Sequence, residues 1–336
     1  MITVSLCMIV KNEEKVLERC LNSLEGLVEE MIIVDTGSTD RTKEIAASFP
    51  NVKLYDFVWI DDFAAARNFA FSKATCEYIY SADADEELDE ENRSAFLQLK
   101  KVLLPEIEIV QMKYCNQLSF GTVYNYDEEY RPKLFKRQRS FLWEGAIHET
   151  VVTAPVVYDS DIRILHKPES LHTGRDFAAF ERILSRREEL SERLRTMYAK
   201  ELFIAGSDED FQRAAGYFEA VAGREDLDAD GLLEACSVAA AAERRKGDEA
   251  GFFKYALKVV ALGGCSEVCF ELGEYYFAKG DLEEAAVWYY NARYETEAIL
   301  CLKKKERDPL EKLILCYEKL DCPEEVFRYR KELETL

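Results

Sequence analysis

Apolar runs separated by short polar loops fill the first hundred positions. Thr3 to Val10 is one continuous apolar stretch; Val16, Leu17, Cys20, Leu21 and Leu24 then recur at helical spacing, and Met31–Val34 is a second apolar run. Strand, helix and strand in that order predict the βαβ unit of a parallel sheet. Val52–Tyr55, Ala64–Lys73 and Tyr78–Tyr80 continue the alternation, while Ser38, Thr39 and Asp40 offer N-cap chemistry to a helix ending near Phe49. From Glu106 to His166 the apolar stretches are cut by turn residues such as Asn116, Gly121 and Asn125, which predicts antiparallel or mixed strands at one edge of the sheet.

After Asp176 the periodicity is helical throughout, and the composition shifts to Ala, Glu, Leu, Arg and Tyr. Within this part Leu272, Gly273 and Tyr276, followed by Ala285, Tyr289 and Ala292, match the small and aromatic positions of a tetratricopeptide repeat. The small residues let two antiparallel helices approach, and the tyrosines fill the space between neighbouring hairpins. The segments 210–222, 232–260 and 308–336 read as divergent copies. The expectation is an α/β domain over residues 1–175, with a Rossmann-like, mostly parallel sheet, followed by an all-α tetratricopeptide-like domain over 176–336.

Charge narrows the function classes. A formal net charge of -21 over 336 residues excludes a nucleic-acid or anionic-membrane surface, because a phosphate backbone would be repelled by most of the exterior. Any phosphate site must be local. The apolar N-terminal run is too short to span a bilayer and has no basic leader, so neither an integral membrane segment nor a signal peptide is expected. The 10 cysteines lack paired spacing and sit mostly in apolar stretches, as reduced core residues of a cytoplasmic protein do. Cys265 and Cys269 lack the two further ligands that a zinc site needs.

Polar clusters stand at the C-terminal ends of the predicted strands, the edge where open α/β sheets bind ligands. Lys11–Glu14 follow the first strand, Asp35–Asp40 the second, Asp61, Asp62, Arg67 and Asn68 the third, and Ser81–Glu87 the fourth. Asp83, Asp85, Glu86 and Glu87 concentrate like charge, a cost that a hard cation such as Mg²⁺ or Mn²⁺ would remove. Glu86 to Glu90 read as a solvated acidic helix start, leaving Asp83 and Asp85 as the metal-facing pair.

Four segments, VKNEE at 10–14, VDTGSTD at 34–40, DDFAAARNFA at 61–70 and SADADEE at 81–87, resemble the nucleotide-binding signatures of family 2 inverting glycosyltransferases with the GT-A fold. RPKLFK at 131–136 and WEGAIHE at 143–149 extend the resemblance over about half of the chain. The resemblance implies a UDP-sugar donor and a divalent metal. It gives Asp35 the base edge, with Val10 and Asn12 walling the base. It puts Arg67 beside the diphosphate, Asp83 at the ribose or metal shell, and Asp85 in direct contact with the metal. Glu14 and Asn68 complete the donor-side set.

All three histidines, His148, His166 and His172, fall in one short window. GT-A enzymes often add a histidine to the metal site, and His166, at the end of the apolar run Ile162–Leu165, has the matching location. Inversion requires a base on the face opposite the departing diphosphate, and the candidates are Glu149 and then Glu144. The combination of domains also resembles peptide S-glycosyltransferases that modify bacteriocins, which implies a peptide or protein acceptor held by the helical domain. Such repeats also mediate dimerisation, so a homodimer through them stays open. The competing readings are a transferase of surface polysaccharide or lipid-linked sugars, an inactive scaffold, and a nucleotidyltransferase. The last would show a Gly-rich phosphate loop that the stretch after Val10 lacks.

Overall fold

A computed structural model of the chain describes residues 1–115, 128–139, 141–144, 150–151, 155–167, 173–186 and 189–336. The chain divides into two compact units, Met1–His172 and Thr173–Leu336.

The first unit contains β1 (Val4–Val10), α1 (Leu17–Leu24), β2 (Glu30–Asp35), α2 (Thr42–Ala47), β3 (Val52–Asp56), α3 (Phe63–Lys73), β4 (Tyr78–Ser81), β5 (Glu86–Glu87) and α4 (Glu90–Val102). It continues with β6 (Ile109–Cys115), β7 (Glu128–Lys136), β8 (Trp143–Glu144), β9 (Thr150–Val151) and β10 (Val157–His166). Eight strands form one sheet in the order β3-β2-β1-β4-β7-β6-β10-β5, and β8 pairs with β9 separately. The first four neighbours are parallel; β7 and β5 run against the rest.

Alternation along β1 divides the core between two faces of the sheet. Val4, Leu6, Met8 and Val10 pack with Leu17, Leu21 and Phe96 on the α1 and α4 side. Cys7 packs with Ile32, Val34, Ile79 and Ala70 on the α3 side. Coverage on both faces is why these strands read as unbroken apolar runs. Because β2 lies on one flank of β1 and β4 on the other, the chain reverses its direction of winding at β1, and a crevice opens beyond the ends of these strands.

One local expectation holds in part. Helix α2 begins at Thr42, and its N-cap position, Arg41, makes no side-chain cap. Asp40 supplies cap chemistry, its Oδ1 accepting from Thr42 N at 3.0 Å, whereas Ser38 and Thr39 bond to Asn12 and lace two loops together.

The second unit is helical: α5 (Thr173–Ser185), α6 (Glu192–Ala205), α7 (Asp208–Val221), α8 (Ala229–Lys246), α9 (Glu249–Ala261), α10 (Ser266–Lys279), α11 (Leu282–Tyr290), α12 (Asp308–Lys319) and α13 (Pro323–Leu333). Helices α8 and α10 end in the same turn. Gly280 closes α10 at φ +82, a left-handed backbone that suits glycine; Asp281 then bonds back to Tyr276 O at 3.0 Å and caps α11. Gly247 and Asp248 repeat this between α8 and α9. Where α10 meets α11, a Cβ on Gly273 would lie 2.5 Å from the Tyr289 ring, so a glycine is what permits this approach. Tyr289 is fully buried against Phe270, Leu310 and Leu313.

All 10 cysteines are free thiols, and no helix among the described residues is long and apolar enough to cross a membrane.

Candidate functional site

At the crevice, two loops are tied together by the residues that their sequences share. Asp35 ends β2 in register with Val10, and Thr36 donates its backbone N–H to Val10 O at 2.9 Å. Asn12, at φ 58, accepts from Thr39 N through its side-chain oxygen at 2.8 Å, while its own N–H goes to Ser38 Oγ at 2.9 Å. Glu14 donates its backbone N–H to Asp40 and accepts from Arg41 N. Asn12 and Glu14 therefore shape the rim of the crevice.

Asp35 is the exception within this lacework. Its Oδ1 accepts from Gly37 N and Ser38 N, each at 2.9 Å. Its Oδ2 is buried and has no hydrogen-bond partner among the described residues. A buried carboxylate oxygen left without a donor is costly, and such an atom calls for an explanation.

Helix α3 supplies the cation. Asp62 caps its start by accepting from Ala65 N at 3.0 Å, and one turn on Arg67 reaches Asp83 Oδ1 at 2.8 Å and Ser81 Oγ at 3.2 Å. Burial alone would raise the Asp83 carboxyl. Arg67, with Lys133 and Arg131 behind it, holds it well below the usual carboxylate range. Arg67 also lies over the Trp143 ring, 5.0 Å from its centroid.

Asp85 lies on the other side of the acidic segment, with its Oδ2 3.1 Å from His166 Nε2. Antiparallel pairing of β5 with β10 sets His166 opposite Glu86 and so delivers the histidine to Asp85. Oxygen and nitrogen ligands at about 2.1 Å from an octahedral cation stand roughly 3 Å apart along a shared edge. The Asp85–His166 spacing fits such an edge. Among the described residues, no group of three His, Cys, Asp or Glu side chains converges on one point.

Glu86 corrects the reading of a solvated acidic stretch: it is 2% exposed and bonded to Lys133. Burial pushes its carboxyl up to about 7, against the pull of Lys133. The available signal was Lys133 itself, a lysine inside an apolar strand, which needs an acid. Asp89 does act as expected at the start of α4, accepting from Asn92 N at 2.9 Å.

The structure thus brings Val10, Asn12, Glu14 and Asp35 to one rim, joins Arg67 to Asp83, and joins Asp85 to His166. Asn68 faces elsewhere, with its amide spent on the backbone of Trp143. Glu149, His148 and His172 lie outside the described residues, and for Glu144 only the backbone, in β8, is described.

Residues 5–168 match the family model described as Glycosyl transferase family 2. The chain is 52% identical over 88 residues to a TPR repeat-containing protein of Synechococcus elongatus, covering 26% of this chain and 22% of that one. It is 32% identical over 149 residues to the SPbeta prophage-derived glycosyltransferase SunS of Bacillus subtilis, covering 44% of this chain and 34% of the relative. The chain therefore spans about a fifth to a third of the length of these two relatives. Among solved structures, a mannosyltransferase from Pyrobaculum calidifontis in complex with GDP-Man and Mn²⁺ is 17% identical, with a TM-score of 0.38, covering 76% of this chain and 86% of that one. That likeness is too loose to carry a statement about this chain.

Proposed function

Because the first unit belongs to glycosyl transferase family 2, we propose that the chain transfers a hexose from a UDP-sugar to an acceptor, with inversion at the anomeric carbon and with help from a divalent metal. The observation that carries the reading is the unpartnered, buried Oδ2 of Asp35 at the crevice rim. Uracil presents one ring N–H, and in this reading the oxygen accepts it. The loop ties from Asn12 to Ser38 and Thr39 preform the wall against which the base lies, so little ordering is left for binding to provide.

Arg67 neutralises Asp83 in the free protein and sets a cation beside the donor's phosphates. Asp83 takes the ribose or the metal's outer shell. Asp85 and His166 are the residues that would hold Mn²⁺ or Mg²⁺. When bound, the cation supplies charge stabilisation to the departing nucleoside diphosphate. On the opposite face of the sugar, Glu149, or failing it Glu144, accepts the acceptor's proton as its nucleophilic atom attacks.

The helical unit is assigned to holding the acceptor, a peptide or protein side chain. Tandem helical hairpins suit an extended chain, and the net charge of -21 favours a basic one. Calorimetry of UDP, GDP and ADP with and without Mn²⁺ tests the donor reading: UDP should bind most tightly, and only with the metal present. Equal affinity for the three would remove Asp35 from base reading, and binding that ignores chelator would remove the metal.

A further inference from the structure

Helix α1 backs the acidic segment at both of its ends. Cys20 donates its thiol to Asp83 O at 3.4 Å, and Ser23 Oγ accepts from Leu88 N at 3.3 Å, so the helix holds residues 83–88 by their backbone. Arg19, next to Cys20, reaches a different element. Its Nη2 donates to Lys167 O at 2.8 Å, one residue past the end of β10, and its Nε lies 3.3 Å from Glu87 Oε2. The same Glu87 oxygen accepts from Lys167 Nζ at 3.0 Å.

Lys167 also donates its backbone N–H to Asp85 O at 3.0 Å. Both of its backbone polar groups are therefore held, one by the acidic segment and the other by α1. His166 stands between this residue and Leu165, which pairs with Glu87. Asp85 and His166 come from elements 81 residues apart in the chain, yet groups that share a metal must keep their places to within about 0.2 Å. The bond from Lys167 N to Asp85 O links the two directly. Arg19 sets where that link stands against α1, and Cys20 does the same for Asp83.

We propose that Arg19 is a positioning residue for the metal pair: by bonding Lys167 O and pairing with Glu87, it fixes the end of β10 against α1 so that His166 Nε2 stays at Asp85. The proposal rests on the reading of Asp85 and His166 as metal-holding residues. Charge and position act here with opposite signs, which makes the two separable. As a cation near a site for a dication, Arg19 weakens metal binding on Coulomb grounds alone. As a clamp it strengthens binding, and partners behind a metal's ligands are worth about 10- to 100-fold in affinity.

The test titrates full-length wild type, Arg19→Met and Arg19→Lys with Mn²⁺ at saturating UDP. Electron paramagnetic resonance follows free Mn²⁺, and electron spin-echo modulation reads the histidine nitrogen on the bound ion, with His166→Ala as the control for that signal. The expected result for Arg19→Met is Mn²⁺ affinity lower by about tenfold, although a positive charge has been removed, with the nitrogen signal reduced. Arg19→Lys keeps the charge but not the planar fork, and should lose about threefold. Hydrogen exchange at the Lys167 amide should quicken in both variants, and more in Arg19→Met. Mn²⁺ bound by Arg19→Met as tightly as by wild type or more tightly, with the nitrogen signal intact, would overturn the proposal. If Arg19→Met does not fold, Arg19→Lys decides, and wild-type affinity together with wild-type exchange in that variant would overturn it equally. A wild type that binds no Mn²⁺, or binds it without nitrogen coupling, would instead sink the metal reading on which the proposal rests.

Discussion

Glu267 in the helical unit and Asp35 in the sheet unit are carboxylates with 0% and 1% exposure. Their surroundings differ. Glu267, in the first turn of α10, accepts from three successive backbone N–H groups, those of Ile299, Leu300 and Cys301, and so pins the connection after α11 onto α10. Glu271, one turn on, is forked by Arg244 and Arg245 of α8. Both acids have the partners that burial demands. Among the described residues Asp35 satisfies one oxygen and leaves the other bare, and the Asp85 carboxylate meets His166 Nε2 at 3.1 Å. A saturated buried acid stabilises its fold, whereas an acid left half-satisfied at a crevice carries a cost that a ligand removes. Substitution should then separate the two groups: losses in function for the open acids and losses in stability for the closed ones.

The largest effect is expected at Asp85. Asp85→Ala removes one of the two proposed metal-holding groups from a segment of mutually repelling acids, so UDP release from the donor should fall by about a thousandfold or more while the thermal midpoint stays put. If Mn²⁺-dependent turnover survived in this variant, the open-acid side of the comparison would lose its main member. Next comes Glu267→Gln, which keeps an oxygen where Oε1 accepts from all three backbone donors but removes its charge and turns an NH₂ towards Ile299 N in place of Oε2. Hydrogen bonds to a charged group contribute about 1.5–3 kcal/mol against about 1 for a neutral pair, so denaturant unfolding should show the helical unit weakened by about 3 kcal/mol with UDP binding unaltered. A variant as stable as the parent would mean that saturation is not what marks a structural acid.

Glu30 sharpens the comparison through pH. It lies at the opposite end of β2 from Asp35 and accepts from Ser5 Oγ at 2.6 Å, Thr75 N at 2.7 Å and Lys53 Nζ at 2.6 Å. Burial would raise its carboxyl, but Lys53, Ser5 and Thr75 together bring it down to about 2. A folded-state pKa below the unfolded value contributes stability that is present above about pH 4.5 and lost as pH falls towards 2. Acid titration of stability should therefore show a contribution of about 3 kcal/mol from Glu30 fading across that window, and Glu30→Gln should flatten it. An unchanged acid slope in the variant would assign the acid sensitivity to other groups.

What the sequence made legible follows from the range of each interaction. The ends of β1, β2 and β4 could be read because apolar runs stop abruptly at polar clusters, and the sheet's order of winding sends those ends to one crevice. The Gly273–Tyr289 contact could be read because both partners lie within one hairpin and glycine has a steric reason to be there. Glu86 could not be placed, since its partner Lys133 lies 47 residues on and nothing local distinguishes a paired glutamate from a solvated one. Asn68 misled for the same reason. Its neighbour Arg67 faces the site, and only the path of β8, 75 residues away, turns the amide to another task. Ser38 and Thr39, unlike Asp40, misled in the opposite direction, because a cap and a loop tie use the same side-chain chemistry and only the position of Asn12 decides between them.

The smallest expected effect is also the one that separates the two kinds of acid most directly. Asp35→Asn preserves the shape of the side chain and the oxygen that accepts from Gly37 and Ser38, and it changes the bare Oδ2 into an NH₂ group. In the free protein that oxygen has no partner to lose, so the variant should melt no lower than the parent, unlike Glu267→Gln. Towards a ligand the change reverses the polarity of one hydrogen bond. Uracil carries a donor at ring position 3, where cytosine carries an acceptor. The variant should therefore lose about tenfold in UDP affinity, equal to about 1.4 kcal/mol, while CDP holds or gains, and the ratio of the two constants is the quantity to measure by calorimetry. A fall in stability with no change in that ratio would place Asp35 with Glu267 among the structural acids, and the base-reading role would have to move to another residue of the rim.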